Sequence, residues 1–124
     1  MLIRTAADAV DILSPIFATA EGERVAVVHL DPAQRMLAVT LEEQGSVDEV
    51  DLPVRSIVST ALRLGSAAIL VAHNHPTGEA TPSEEDLGAT RTLAEAAAAV
   101  GIRLFDLLVF AGGECQSFRA LGLL

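Results

Sequence analysis

Apolar and polar positions fall into blocks along the chain, and the changes of period from one block to the next outline an alternating helix–strand order. Residues 5–13 set Val10 and Leu13, with Phe17 beyond them, at helical core spacing. Thr5-Ala6-Ala7-Asp8 adds a weak capping signal, so a first helix is predicted there, with Pro15 breaking or restarting it. Residues 25–30 are nearly all apolar and predict a buried strand. Asp31-Pro32-Ala33-Gln34 is a turn, and residues 36–41 pair back as the second arm of a hairpin. Residues 42–51 are polar, acidic and glycine-containing, which reads as a loop with a short strand.

The second half repeats the alternation. Residues 53–64 predict a helix with Ile57, Val58, Ala61 and Leu62 inward and Gly65 as its C-cap. The small apolar run 67–72 suits a strand buried on both faces. Thr81-Pro82-Ser83-Glu84 reads as a capping box, with Thr81 as N-cap, Pro82 at N1 and Glu84 at N3. It opens the longest helix, 82–100, with Leu87, Leu93, Ala97 and Val100 inward and Gly101 as its C-cap. A strand over 102–110, a Gly112-Gly113 hairpin turn and a last strand over 115–118 complete the pattern. The expected fold is a single α/β domain over 1–124, a mixed β-sheet flanked by helices, without repeats or linkers.

Composition agrees and narrows the partners. The 124 residues, 51% of them apolar, form enough core for one domain and exclude intrinsic disorder. No apolar run approaches the ~18 residues of a membrane span, and the N-terminus lacks a signal-peptide pattern, so the cytoplasm is the expected compartment. Cys115 is the sole cysteine, which rules out a disulfide framework and a cysteine-rich zinc finger. The formal net charge is −9, and the eight basic residues, all Arg, are scattered singly from Arg4 to Arg119. Duplex DNA is held chiefly by clustered Lys and Arg, so direct nucleic-acid binding is not expected.

Two of the three histidines stand in His73-Asn74-His75, and ten residues separate His75 from Asp86. In an extended segment residues i and i+2 share a side, so both imidazoles can meet one metal ion. Pro76 pushes His75 out of the helical region, Pro76-Thr77-Gly78 reads as a turn, and Ser83 and Asp86 follow on one face of the helix start. Asp86 lies past the capping positions of that helix, which favours a ligand role. Two His and one carboxylate form a three-ligand zinc site with a fourth position open, the pattern of a catalytic centre.

This spacing resembles the JAMM motif of JAB/MPN metalloenzymes: His-x-His, seven residues, Ser, two residues, Asp. The closer resemblance is to RadC-like JAB proteins, carried by Pro53-x-Arg55, Ala61-Leu62, Ala67 through Gly78, Thr81-Pro82-Ser83, Asp86, Thr90, Ser117-Phe118 and Gly122-Leu123-Leu124. It runs from about Glu23 to the C-terminus. The chain departs from that family at Asp106-Leu107, where Asp-His is common, and at Thr77, where Ser is usual. The resemblance implies the JAB/MPN (cytidine-deaminase-like) architecture and a zinc hydrolase, with His73, His75 and Asp86 as metal ligands. It also implies an upstream glutamate as general base. Glu23 and Glu21 would face the same side of an extended chain, and periodicity does not separate them; the resemblance, anchored on Leu30-Asp31, favours Glu23.

The implied mechanism is amide hydrolysis by a zinc-activated water, with Glu23 as base and Ser83 as donor to the oxyanion. The implied substrate is a protein or peptide, cut at a peptide or isopeptide bond. RadC-like proteins are associated with DNA repair and many carry an N-terminal DNA-binding module, which this sequence does not include. A zinc amidohydrolase of small substrates and a non-catalytic interaction module, including a homodimerising one, remain open. A cytidine deaminase would need a cysteine pair.

Overall fold

The computed structural model describes residues 1–19, 22–42, 52–75 and 78–124, and the expected loop with a short strand at 42–51 lies almost wholly outside them. The elements are α1 (Ala6–Ala18), β1 (Val25–Leu30), β2 (Met36–Glu42), α2 (Val54–Leu64), β3 (Ala68–Asn74), α3 (Glu84–Ala99), β4 (Arg103–Ala111) and β5 (Glu114–Ser117). The five strands form one mixed sheet in the order β2-β1-β3-β4-β5. Among the described strands only the β3–β4 pair is parallel, because α3 carries the chain back across the sheet between them.

Strand alternation divides the core in two. Val25, Val27, Ile69 and Val71 pack on one face with Ile57 and Ala61 of α2 and Leu93 and Ala97 of α3. Ala26, Val28, Leu70 and Ala72 face the opposite way, against Ala9 and Leu13 of α1. The order is helix, sheet, helices, so β1 and β3 are buried on both sides, as their apolar sequences predict. In β4 the register slips opposite Ile69 and Leu70. That slip puts Leu104, Leu107 and Val109 on one face and Phe105, Leu108 and Phe110 on the other.

Three expectations are corrected. Pro15 neither ends nor restarts α1, which continues to Ala18. The carbonyl that Pro15 leaves unpaired belongs to exposed Asp11, where solvent has access, and the last turn is held by Phe17 stacked on Phe110 at 4.6 Å. In α2 the buried stripe is Ile57, Thr60 and Ala61, while Leu62 is 52% exposed, one residue and so about 100° beyond the stripe. At the end of α3 Val100 is the C-cap and is exposed, with Gly101 just after it at φ 78°. The Gly65 cap of α2 and the Gly112-Gly113 turn, with φ 56° and 82°, occur where the sequence predicts them.

Candidate metal centre

β3 runs two residues further than its apolar stretch and carries His73 inside the sheet, paired with Val25 of β1. His73 is 1% exposed, and neither ring nitrogen has a hydrogen-bond partner. Burial pushes its pKa down to about 4, only partly opposed by Asp86, and the neighbouring His75 lowers it further. The imidazole therefore stays neutral near pH 7 and keeps a lone pair available.

His75 follows the strand. Its backbone N–H donates to Phe110 O at 2.8 Å, and its Nδ1 lies 2.9 Å from Glu79 O. A carbonyl only accepts, so Nδ1 donates to it and Nε2 is the nitrogen placed to serve a metal, the arrangement a histidine ligand requires. Nε2 itself is buried and without a hydrogen-bond partner.

Asp86 comes from the start of α3, and here the sequence reading needs correction. Ser83, not Thr81, is the N-cap, and Asp86, not Glu84, is N3. Ser83 Oγ accepts from Asp86 N at 3.1 Å, while Asp86 Oδ2 accepts from Ser83 N at 2.8 Å. Asp86 thus does occupy a capping position. Ser83-x-x-Asp86 fits the capping-box pattern as well as Thr81-x-x-Glu84 does; the pull of Pro82 toward N1 misplaced the boundary by two residues. The box uses Oδ2 and fixes the carboxylate, leaving Oδ1 buried and unpartnered.

The three side chains converge. His73 Nε2 lies 3.4 Å from Asp86 Oδ1, and His75 Nε2 lies 3.2 Å from Asp86 Oδ2. The imidazole rings stand 5.0 Å apart at 65°, and one ligand atom from each of the three residues lies within 4.8 Å of the others. Ligands about 2.0–2.1 Å from a tetrahedral zinc would be roughly 3.3 Å from one another, so the N···O separations suit such an ion. Among the described residues, the buried side-chain polar atoms without a partner belong to Glu23, His73, His75 and Asp86 alone. Such atoms are costly in a folded interior, and the convergence of those on His73, His75 and Asp86 marks a centre completed by something outside the chain.

Glu23 is half-buried just ahead of β1, with Oε2 buried and unpartnered. Its competitor Glu21 and the Pro76-Thr77 part of the predicted turn lie outside the described residues. The reading of the residues missed Asn74, whose side chain binds the backbone on both sides of Glu23: Arg24 N donates to its Oδ1 at 2.6 Å, and its Nδ2 donates to Gly22 O at 2.9 Å. Its place at the end of a buried strand between two candidate ligands was the available signal. A cleft of about 380 Å³ adjoins the centre, with Asn74 and His75 in its wall beside Val10, Phe17, Phe110 and Cys115. The Cys115 thiol is pushed up to about 11 by burial and by Asp106, so it remains protonated and is no nucleophile.

A family model described as RadC-like JAB domain matches residues 3–123. A protein of Rhodobacter capsulatus called UPF0758 protein is 40% identical over 102 residues, covering 82% of this chain and 48% of its own. UPF0758 proteins of Chloroflexus aurantiacus and Photobacterium profundum are both 36% identical. These matches cover 98% and 89% of this chain, and 53% and 49% of the relatives. The chain therefore spans about half the length of these curated relatives.

Proposed function

The chain belongs to the RadC-like JAB domain family, and from that membership together with the His73–His75–Asp86 cluster we propose that it is a zinc-dependent hydrolase of peptide or isopeptide bonds. The observation that carries the reading is the convergence of His73, His75 and Asp86, whose buried ligand atoms lack partners, with a further buried and unpartnered oxygen on Glu23. Two imidazole nitrogens and a carboxylate oxygen are a borderline donor set that suits zinc. When bound there, zinc supplies Lewis-acid chemistry, polarising a carbonyl and easing deprotonation of water.

The remaining steps fall to the chain's own groups. Glu23 Oε2, with no hydrogen bond to lose, takes the proton of the attacking water and passes it to the leaving amine. Ser83 Oγ spends a lone pair on Asp86 N, so its own O–H is free to donate to the oxyanion developing on the scissile carbonyl. His75, held through Nδ1 by Glu79 O, and Asp86, held by the Ser83 amide, keep their ligand atoms in place without rearrangement. The apolar cleft beside His75 and the net charge of −9 favour a protein or peptide partner over nucleic acid.

Elemental analysis tests the reading. Protein purified without chelator should carry about one zinc per chain, and His75→Ala should lose most of it. Native protein that neither contains zinc nor takes it up on reconstitution would remove the hydrolase assignment. With zinc established, screening against peptide and isopeptide libraries identifies the bond.

A further inference from the structure

We propose that Asn74 is a positioning residue that fixes where the Glu23 carboxyl stands relative to the His73–His75–Asp86 cluster. The inference rests on reading that cluster as a metal site, and adds to it a device that sets the geometry of the base.

Asn74 is the last residue of β3 and lies between the two histidines, so strand alternation turns it to the opposite face of the sheet from His73. It is therefore placed to act on the backbone rather than on a metal. The β1–β3 ladder runs from Leu30–Ala68 to Val25–His73 and stops there. Beyond that point the Asn74 carboxamide takes over the pairing. Its Oδ1 accepts from Arg24 N at 2.6 Å, and its Nδ2 donates to Gly22 O at 2.9 Å. The two bonds flank Glu23 on either side, which fixes the backbone from which its carboxyl extends.

A second tie holds the same segment. Arg24 Nη1 donates to Ile16 O, 3.1 Å away near the end of α1. The stretch from Gly22 to Arg24 is thus fastened to β3 by its backbone and to α1 by a side chain. Glu23 Oε2 is buried without a partner, a placement that a free chain would relieve by turning the carboxyl to water. Something must resist that relief, and the clamp is in place to do so. A carboxamide presents an acceptor and a donor on two separate atoms of one short side chain, as the two backbone sites require; ionised Asp cannot donate to Gly22 O, and Ala does neither. Displacements of about 1 Å in a catalytic group are enough to cost large factors in rate, so such a clamp has functional weight.

The test uses the 124-residue chain, isotopically labelled and loaded with Co²⁺ as a paramagnetic probe, with the Zn²⁺ form as the diamagnetic reference. In Asn74→Ala, cobalt uptake should stay near one per chain. Amide exchange at Arg24 in the metal-free protein should speed up by roughly tenfold. Paramagnetic broadening of the Glu23 γ-methylene signals should fall severalfold while that of the Val27 amide holds. Asn74→Asp keeps the Arg24 bond and loses the Gly22 bond, so it should lie between the two, and it carries the same comparison should Asn74→Ala fail to fold. A structural role alone would lower the melting temperature without selectively moving Glu23. Unchanged Glu23 broadening in a cobalt-loaded variant overturns this proposal alone. Loss of cobalt from the variant overturns it too, since Asn74 would then support the ligands. A wild-type protein that takes up no cobalt removes the metal reading and the proposal with it.

Discussion

Ser83→Ala should weaken the fold and the chemistry together, and the two losses can be separated. In the folded chain Ser83 Oγ accepts from Asp86 N at 3.1 Å, closing one half of the capping box at the start of α3. Alanine leaves that N–H without its acceptor, and the usual cost of losing a Ser cap is about 1 kcal/mol. The entropy of unfolding near the melting point is about 2.1 cal/mol/K per residue, or roughly 0.26 kcal/mol/K for 124 residues. The expected drop in Tm is therefore about 4 °C. The other half of the box, Ser83 N donating to Asp86 Oδ2, is a backbone bond and survives the substitution. Asp86 should keep its orientation and zinc content should change little. If the hydroxyl also serves the oxyanion, kcat falls about 10²-fold beyond anything the lost stability explains at assay temperature. Ser83→Gly separates the effects, because Gly at an N-cap costs only about a few tenths of a kcal/mol yet has no side-chain donor at all. It should recover most of the melting temperature and leave turnover low. A Ser83→Ala protein that melts within 1 °C of wild type would refute the capping argument, and one with normal turnover would refute the oxyanion role.

Glu23→Gln removes the proton acceptor while keeping the side-chain shape, so hydrolysis of a confirmed substrate should drop about 10²–10⁴-fold with zinc content unchanged; zinc loss in this variant would make Glu23 a ligand instead. Burial pushes the pKa of His29 down and that of His73 down to about 4, so below pH ~6.5 the unfolded chain takes up protons that the fold resists. Stability of chelator-treated protein is therefore full above that pH and should fall as pH drops from 6.5 toward 5, which urea midpoints at successive pH values will read; a flat profile contradicts the buried neutral state. Gly112 has φ 56°, and a Cβ there would come within 3.1 Å of Gly78 O. Gly112→Ala should accordingly cost more than about 1 kcal/mol in a thermal melt, and a neutral result would mean that the two turns can separate freely.

The parts of this molecule that were legible in the sequence are those set by local period and local chemistry. β1 could be read to the residue because both of its faces meet core, leaving a run between Arg24 and Asp31 that is apolar at every position but His29. The α2 cap was legible because Gly65 takes a positive φ that few other residues accept. His73, His75 and Asp86 were legible as a set because short spacing on a strand end and a helix start limits where their side chains can go. What was hidden depends on tertiary contacts. Pro15 would end an isolated helix, but packing of Phe17 on Phe110 carries α1 past it. His29 gives no sign in sequence of its buried hydrogen bonds to Ser66 and Thr40 across neighbouring elements. The Asn74 clamp depends on strand pairing between residues about fifty apart, which no local pattern encodes.

The same separation along the chain has a consequence for how the centre assembles. His73, His75 and Asp86 fall within a span of fourteen residues, whereas Glu23 stands fifty positions before His73. Closing the longer loop costs about 1.3 kcal/mol more in chain entropy than closing the eleven-residue step from His75 to Asp86. On the proposed reading, ion capture would be organised by one strand-to-helix passage, while the proposed base would arrive only when β1 docks against β3. Damage to the N-terminal third would then leave a protein that still holds its ion and has lost its reactivity, an asymmetric failure built into the order in which the chain supplies its parts.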